Sequence, residues 1–188
     1  MSDNSLSPAY FDALYAKDAD PWRFASSDYE RAKYQATLDV LPSRFSRAFE
    51  IGCSIGVLTR RLAERCDSLL AVDVAEVPLA QAQMRCAELD HVAIRRMQVP
   101  QEWPPGRFDL ILFSEVLYYL SPADVARAAR CTRGSLRQGG TVLLVHYILP
   151  TDYPCTGDVA SGIFIAEMGR VPILQRREAE YRLDLLRA

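Results

Sequence analysis

Residues 47–56 read Arg-Ala-Phe-Glu-Ile-Gly-Cys-Ser-Ile-Gly, and residues 69–73, after a helical run, read Leu-Leu-Ala-Val-Asp. This order predicts a short buried strand, a glycine turn that opens a helix, and a second strand that ends on an acid. Gly52 permits a sharp turn with close approach of a ligand, and Gly56 permits tight packing of the following helix. An acid about twenty residues after such a turn is placed to accept hydrogen bonds from both hydroxyls of a ribose. We therefore expect a nucleoside site that includes Asp73.

The glycine spacing indicates which nucleoside this is. The turn carries Gly-x-x-x-Gly, whereas a dinucleotide site uses Gly-x-Gly-x-x-Gly to bring amides to a pyrophosphate, and no Gly-Lys-Ser/Thr of a P-loop is present. Glu50, two residues before the first glycine, would repel a phosphate but suits a cationic aminoacyl group. A ligand with a ribose and no phosphate fits best, and S-adenosylmethionine is the common one. A nicotinamide oxidoreductase is the disfavoured rival.

Length and composition favour one globular domain without a nucleic-acid partner. The chain has 188 residues, of which 49% are hydrophobic and 24% charged, and its formal net charge is −2. That length suits a single domain with one sizeable core. No basic cluster marks a nucleic-acid surface, and no run reaches the roughly 18 apolar residues of a membrane span.

Cysteine usage and the N-terminal stretch predict a cytoplasmic location. Residues 1–10 are polar and acidic, without the features of a signal peptide. The five cysteines are scattered without a Cys-x-x-Cys pair, and only two histidines could join them. This pattern disfavours a metal site and a disulfide framework, and it is typical of a reducing compartment. We also expect no membrane association and no obligate protein partner.

Strands and helices alternate along most of the chain, which predicts an α/β fold with a mostly parallel sheet and helices on both faces. Residues 5–27 are expected to be irregular, and Asp28 to cap the first helix. The predicted strands are 49–51, 69–73, 92–97, 108–114, 141–146 and 178–185, the last antiparallel; the predicted helices are 29–41, 57–66, 78–89, 122–136 and a helix ending near 168. A turn is expected at Gly139-Gly140. Within one domain (1–188), we expect a cap segment (1–45), a cofactor-binding core (46–147) and an acceptor region (148–188).

Polar residues stand where the predicted strands end. Ligands of parallel α/β sheets bind at the carboxyl ends of the strands. We therefore expect one cleft lined by the five residues at these ends: Glu50, Asp73, Gln98, Ser114 and His146.

A second motif carries a family resemblance. The fourth predicted strand runs into Ser-Glu-Val-Leu-Tyr-Tyr-Leu at residues 114–120, and Asp-Pro-Trp at 20–22 and Tyr-Glu-Arg at 29–31 precede the glycine turn. Together with Glu50-x-Gly52-x-x-x-Gly56 and Asp73, these motifs resemble class I S-adenosylmethionine-dependent methyltransferases. More narrowly, most of residues 18–147 resemble the NodS family of nodulation N-methyltransferases. The resemblance implies a Rossmann-like fold, S-adenosylmethionine as cofactor and a role such as oligosaccharide biosynthesis.

The resemblance also implies cofactor-binding residues. The loop around the methionine part of the cofactor is matched by Glu50, Gly52, Cys53, Ser54 and Gly56. Asp73 matches the ribose acid, Val74 would flank the adenine, and Gln98 stands where an Asp usually meets the adenine amine. Ser114 and Glu115 match the end of the fourth strand, beneath the methionine moiety. Tyr29 and Lys33 are candidates on a helix that covers the cofactor, with Lys33 for its carboxylate.

The acceptor side depends on the chemistry of methyl transfer. An amine nucleophile must arrive neutral, so a nearby His or acid is expected to take its proton. His146 is the first candidate, and Tyr118 and Glu115 are the next. The loop after residue 146, with Tyr147, Asp152 and Asp158, is expected to bind the acceptor. The expected acceptor is an amine on an amino sugar, oligosaccharide or other small metabolite, and the alternatives are small-molecule O-methylation and a silent S-adenosylmethionine-binding domain.

Overall fold

The computed structural model describes residues 4–188. Residues 1–3, which belong to the predicted cap segment and to the polar N-terminal stretch, lie outside the described residues. The chain divides into two compact units, an N-terminal unit (Ser7–Gln98) and a C-terminal unit (Val99–Ala188 together with residues 4–6). The predicted domain boundaries stay a prediction.

The N-terminal unit contains four helices and three parallel strands. In chain order these are α1 (Pro8–Lys17), α2 (Asp28–Asp39), β1 (Ala48–Ile51), α3 (Val57–Ala63), β2 (Leu69–Asp73), α4 (Glu76–Arg85) and β3 (Val92–Arg96). Strand β2 pairs in parallel with β1 on one side and β3 on the other, so the carboxyl ends of the three strands lie at one edge. Both β1 and the middle of β2 are buried, as their mostly apolar sequences predict.

Helix α1 is the largest departure from the prediction in this unit, because residues 5–27 were expected to be irregular. Pro8 occupies the start of α1, where its missing N–H costs nothing, and Phe11 and Tyr15 form its buried side. Helix α2 begins one residue earlier than predicted, and the hydroxyl of Ser27, not Asp28, caps it by accepting from the backbone N–H of Glu30. The helices predicted at 57–66 and 78–89 are both shorter in the structure.

The C-terminal unit combines a parallel strand pair with an antiparallel addition. Its elements are β4 (Phe108–Ser114), a short 3₁₀ helix (Leu117–Tyr119), α5 (Pro122–Ser135), β5 (Leu136–Tyr147), α6 (Gly157–Met168), β6 (Leu174–Arg177) and β7 (Tyr181–Arg187). Strand β5 pairs in parallel with β4, whereas β7 runs antiparallel to both β5 and β6. The predicted α/β class, mostly parallel with an antiparallel C-terminal strand, is confirmed.

One local prediction in this unit is wrong, and one strand was missed. Gly139-Gly140 is not a turn between elements but part of a long β5, where the pairing moves from Phe108↔Leu136 to Leu110↔Thr141 and leaves an irregularity in the strand. Strand β6 was not predicted, because its side chains are mostly exposed and show no apolar alternation. Among residues 4–188, no helix combines the length and apolar character that crossing a membrane requires.

Candidate functional site

The glycine turn of the N-terminal unit joins β1 to α3 and is tied to the end of β2. The backbone amides of Gly52 and Cys53 both donate to the carbonyl of Val72, at 2.9 and 3.0 Å. Gly52 has φ +87°, in the left-handed region that favours glycine. At Gly56 a Cβ atom would lie 2.8 Å from the Cα of Ala82, so this glycine is required for packing against α4.

Asp73, the last residue of β2, is oriented by backbone amides. Its Oδ2 accepts from the amide of Ser54 at 2.9 Å, and its Oδ1 accepts from the amide of Ala75 at 3.0 Å. Burial raises the pKa of this carboxyl group, and the hydrogen bonds from Ala75 and Ser54 oppose the rise. The side chain is therefore fixed in direction at the strand end while it stays partly exposed.

Glu50, on β1, is the most unusual polar residue of this unit. Its side chain is fully buried, and among the described residues neither carboxylate oxygen has a partner with hydrogen-bond geometry. Burial raises its pKa to about 7, the charge of Asp73 adds to the rise, and Thr59 opposes it. The Thr59 hydroxyl is likewise buried without a partner in hydrogen-bond geometry among the described residues. A buried acid in this state favours a ligand that supplies positive charge or donors.

The structure adds Tyr15, which the sequence did not single out. Its hydroxyl lies 2.5 Å from Oγ of Ser54, in the middle of the glycine turn, and its ring packs edge-on against Trp22 with centroids 5.7 Å apart. The only signal available in the sequence was the spacing of Phe11 and Tyr15, four residues apart, which is typical of one helix face.

Two further candidates of the N-terminal unit, Lys33 and Gln98, differ in how deeply they are buried. Lys33 is 2% exposed, donates to Oε1 of Glu30 at 2.9 Å and lies 5.0 Å from the ring centre of Tyr29. Its positive charge is thus already paired with a carboxylate. Gln98 lies two residues after β3 and is half-buried.

Val74 and Cys53 flank the strand ends of the same unit. Val74 follows Asp73 and is half-buried, and its carbonyl accepts from Nε of Arg96 at 3.1 Å. Cys53 is buried, and burial together with the charges of Asp73 and Glu50 raises the pKa of its thiol. That thiol therefore remains protonated.

In the C-terminal unit, Glu115 forms hydrogen bonds with two other residues predicted for the acceptor side, Tyr118 and Tyr147. It follows the last residue of β4, the buried Ser114. Its backbone has φ +57°, a conformation that residues other than glycine rarely adopt. Its Oε2 accepts from the hydroxyl of Tyr118 and from the backbone amide of Tyr147, both at 2.8 Å. These donors hold the carboxylate in one direction at the end of the strand.

Three tyrosines pack together next to Glu115. The rings of Tyr118 and Tyr153 are stacked at 5.5 Å with an interplanar angle of 9°, and Tyr119 packs edge-on against both. Burial and the neighbouring Glu115 raise the pKa of Tyr118, so its hydroxyl stays protonated and donates. The backbone amide of Cys155 donates to the carbonyl of Tyr118 at 3.1 Å, which ties the loop after β5 to this cluster.

His146 is inside the C-terminal unit, with 0% of its surface exposed. Its Nε2 accepts from the backbone amide of Leu117 at 3.2 Å, and its Nδ1 lies 3.5 Å from the hydroxyl of Ser161. An imidazole that accepts at Nε2 carries its proton on Nδ1. Both ring nitrogens therefore serve the packing of the 3₁₀ helix and α6, which favours a positioning role, and the predicted catalytic role stays a prediction.

One of the residues expected to bind the acceptor after β5, Asp158, is engaged in ion pairs within the unit. Asp158, in the first turn of α6, pairs with Arg177 at 2.6 Å and with Arg182 at 2.9 Å, and these arginines lower the pKa of its carboxyl group. Its charge thus holds α6 to β6 and β7. Within the described part of the chain, no group of three or more His, Cys, Asp and Glu is arranged to hold a metal ion.

Comparison with known proteins gives a family and a fold. The sequence profile of the family described as Nodulation protein S (NodS) matches residues 11–143. Nodulation protein S of Sinorhizobium fredii is 33% identical over 112 residues, which cover 58% of this chain and 52% of that protein. The chain spans about half the length of the curated nodulation proteins it matches. A ubiquinone biosynthesis O-methyltransferase of Pseudomonas aeruginosa is 35% identical over 103 residues, 52% of this chain and 43% of that protein.

Two solved structures agree with this result. A protein of Pseudomonas syringae, assigned provisionally as a methyltransferase, has a TM-score of 0.76 and 34% identity, covering 85% of this chain and 99% of that one. The N-methyltransferase NodS of Bradyrhizobium japonicum WM9, in complex with S-adenosylhomocysteine, has a TM-score of 0.79 and 23% identity, covering 95% of this chain and 96% of that one. At 23% identity, the second likeness shows the fold alone. Taken with the family match, this fold is that of class I methyltransferases.

Proposed function

Because the chain belongs to the NodS family, we propose that it is an S-adenosylmethionine-dependent methyltransferase. Its acceptor is an amine on an amino sugar, an oligosaccharide or another small metabolite. The identity to nodulation proteins and the likeness of its fold to an N-methyltransferase support the proposal. A cytoplasmic location is part of it, since all five cysteines are free thiols, as a reducing compartment requires.

The observation that carries the proposal is the buried acid Glu50 beside the glycine turn. A carboxylate without hydrogen-bond partners in a buried place is costly unless a ligand pairs with it. The ammonium group of the methionine moiety would provide the missing positive charge, whereas the phosphates of a dinucleotide would add repulsion. The residues of this turn therefore fit S-adenosylmethionine and disfavour NAD.

The residues of the N-terminal unit have distinct tasks in this proposal. Asp73 would bind the ribose hydroxyls, and Glu50 would bind the ammonium group, directly or through water. The turn from Gly52 to Ser54 presents its backbone to the ligand. The sulfonium of the bound cofactor supplies the methyl group. The protein has to hold the reacting groups in line and exclude water.

On the acceptor side, we assign to Glu115 the role of taking the proton of the acceptor amine. The carboxylate is half-buried and held by Tyr118 and by the amide of Tyr147, so it attracts an ammonium group in a defined direction. Loss of a proton to Glu115 would leave the amine lone pair ready for the in-line displacement. The stacked tyrosines Tyr118 and Tyr153 offer apolar faces of the kind that pack on sugar rings. This assignment gives His146 the task of holding the 3₁₀ helix that carries Tyr118.

Isothermal titration with S-adenosylhomocysteine and with NAD tests the cofactor. We expect S-adenosylhomocysteine to bind far more tightly than NAD. Tight binding of NAD without a signal from S-adenosylhomocysteine would overturn the proposal. Mass spectrometry of the products formed from isotope-labelled S-adenosylmethionine, with a panel of amino sugars, amines and phenols, then identifies the acceptor.

The second candidate function is O-methylation of a small molecule. The identity to a ubiquinone biosynthesis O-methyltransferase favours it. Labelled products only from the phenols of the panel would establish this function. A silent cofactor-binding domain is disfavoured because Glu50, Gly52 and Asp73 are all present, and any labelled product excludes it.

A further inference from the structure

Helix α1 reaches the glycine turn through one side chain. Tyr15 is 4% exposed, and its hydroxyl lies 2.5 Å from Oγ of Ser54. The helix is anchored independently, because Oδ1 of Asp12 accepts from the backbone amide of Glu76 at 3.2 Å, in the first turn of α4. The position of Tyr15 is therefore set by contacts other than the one it makes with the turn.

Ser54 connects Tyr15 to the ribose acid. It has φ +47°, and a serine in this left-handed region is strained unless its surroundings hold it there. In this conformation its amide donates to Oδ2 of Asp73 at 2.9 Å. A change in the orientation of Ser54 would therefore remove one of the two backbone donors that direct the carboxylate.

We propose that Tyr15 is a positioning residue of the cofactor site, which holds Ser54 in its left-handed conformation and through it directs the carboxylate of Asp73. This inference rests on the proposed function, since it assumes that Asp73 binds the ribose of an S-adenosyl ligand. It makes α1, which precedes the recognisable glycine motif by about forty residues of chain, part of the apparatus that binds the cofactor.

The electrostatics of the contact agree with this role. Burial and the negative charge of Asp73 raise the pKa of Tyr15, so the phenol stays protonated and is able to donate to Ser54. Trp22 packs edge-on against the Tyr15 ring and stacks on Phe24 with centroids 5.5 Å apart. These rings restrict the ring of Tyr15, so its hydroxyl is presented to Ser54 from a fixed support.

The test is a double-mutant cycle on S-adenosylhomocysteine binding, measured by isothermal titration well below the thermal unfolding midpoint of each variant. We expect Tyr15→Phe to weaken binding about 3- to 10-fold, the range of one lost hydrogen bond. In an Asp73→Ala background the same substitution is expected to have almost no further effect, because the side chain that Ser54 directs is gone. Tyr10→Phe, a half-exposed tyrosine on the same helix, is the matched control and should bind like the wild type.

The outcomes separate the inference from the function on which it rests. Unchanged affinity in Tyr15→Phe, or the same weakening in both backgrounds, would overturn the inference while leaving the proposed function intact. Failure of the wild type to bind S-adenosylhomocysteine would overturn the proposed function and the inference together. If Tyr15→Phe does not fold, Ser54→Ala removes the same hydrogen bond from the other side and is judged by the same cycle.

Discussion

The two units hold their candidate functional acids in opposite ways. In the N-terminal unit, Glu50 is on a regular strand, fully buried, and without a hydrogen-bond partner among the described residues. In the C-terminal unit, Glu115 has a left-handed backbone and accepts two hydrogen bonds on one oxygen. An acid kept without donors is suited to a ligand that brings positive charge, whereas an acid held by donors is suited to chemistry that needs a fixed direction.

The two sites also differ in how the chain assembles them. The turn from Gly52 to Gly56 and the acid at Asp73 come from one strand–turn–helix–strand segment. Glu115, Tyr118 and Tyr147 come from separate parts of the chain, and Tyr147 lies 32 positions after Glu115. A compact motif of the first kind is visible in a sequence, and an arrangement of the second kind depends on tertiary packing.

Glu115→Gln is expected to have the largest effect. Glutamine keeps the size of the side chain but cannot take a proton from the amine that receives the methyl group. Turnover should therefore fall by about 10²- to 10⁴-fold. The affinity for S-adenosylhomocysteine should change little. The measurement is turnover with an acceptor from the labelled panel, and Glu178→Gln, in the hairpin between β6 and β7, is the control. Turnover near the wild-type value would show that Glu115 is not the proton acceptor.

His146→Ala should act on stability more than on chemistry. The substitution leaves a cavity and removes the acceptor of the Leu117 amide, so the free energy of unfolding should fall by about 2–4 kcal/mol. Urea denaturation measures this loss, and turnover is then compared per mole of folded protein. A fall in that corrected turnover of about 10²-fold or more would restore the catalytic role for His146.

Glu50→Gln should stabilise the protein at alkaline pH. Burial raises the pKa of Glu50 from its ordinary 4.5 to about 7, so the native state keeps a proton that the unfolded state has released between these values. The stability of the wild type therefore falls as pH rises through this window, and the variant should exceed it by about 2–3 kcal/mol at pH ~8 and match it at pH ~4.

The same variant distinguishes ligand binding from stability. Because glutamine cannot pair with an ammonium group, affinity for S-adenosylhomocysteine should fall while stability rises. The exposed Glu64→Gln is the control for both measurements. A variant that gains no stability at alkaline pH would contradict the description of Glu50 as a buried acid without partners.

Asp73→Asn is expected to have the smallest effect of the four. The amide still accepts one backbone hydrogen bond, but the charged acceptor proposed for the ribose is lost, so binding of S-adenosylhomocysteine should weaken by about 1–3 kcal/mol. Isothermal titration measures the change, and Asp67→Asn, an exposed acid just before β2, is the control. Equal affinity in a cooperatively folding variant would show that Asp73 does not bind the ribose.

The strands were the most predictable part of the fold. Residues 69–73 and 108–114 have the predicted bounds, because a strand buried on both faces is a continuous apolar run. Helix α1 was missed because only two of its residues, Phe11 and Tyr15, are buried. Two buried residues are too few to show the apolar periodicity of a helix. The exposed edge strand β6 gave no signal for the same reason.

The candidate site was predictable where the residues contact backbone close in sequence. Asp73 and Ser54 belong to one motif, and the structure joins them by a hydrogen bond. The contact of Tyr15 with Ser54 joins residues 39 positions apart, and the spacing of Phe11 and Tyr15 indicates a helix face but not this contact. His146 was a candidate because of its position near a strand end. Its burial depends on α6 and the 3₁₀ helix, which the position does not reveal.

By itself, the sequence determined the α/β class, the glycine turn and the acid that ends β2. These follow from apolar runs, from backbone conformations that favour glycine, and from distances of a few residues along the chain. Only the tertiary structure decided that Glu50 has no hydrogen-bond partner within residues 4–188, that Glu115 is held by Tyr118 and Tyr147, and that Tyr15 reaches Ser54. Hydrogen bonds and desolvation depend on atoms within a few ångströms, and the chain brings those atoms together from positions that no local pattern connects.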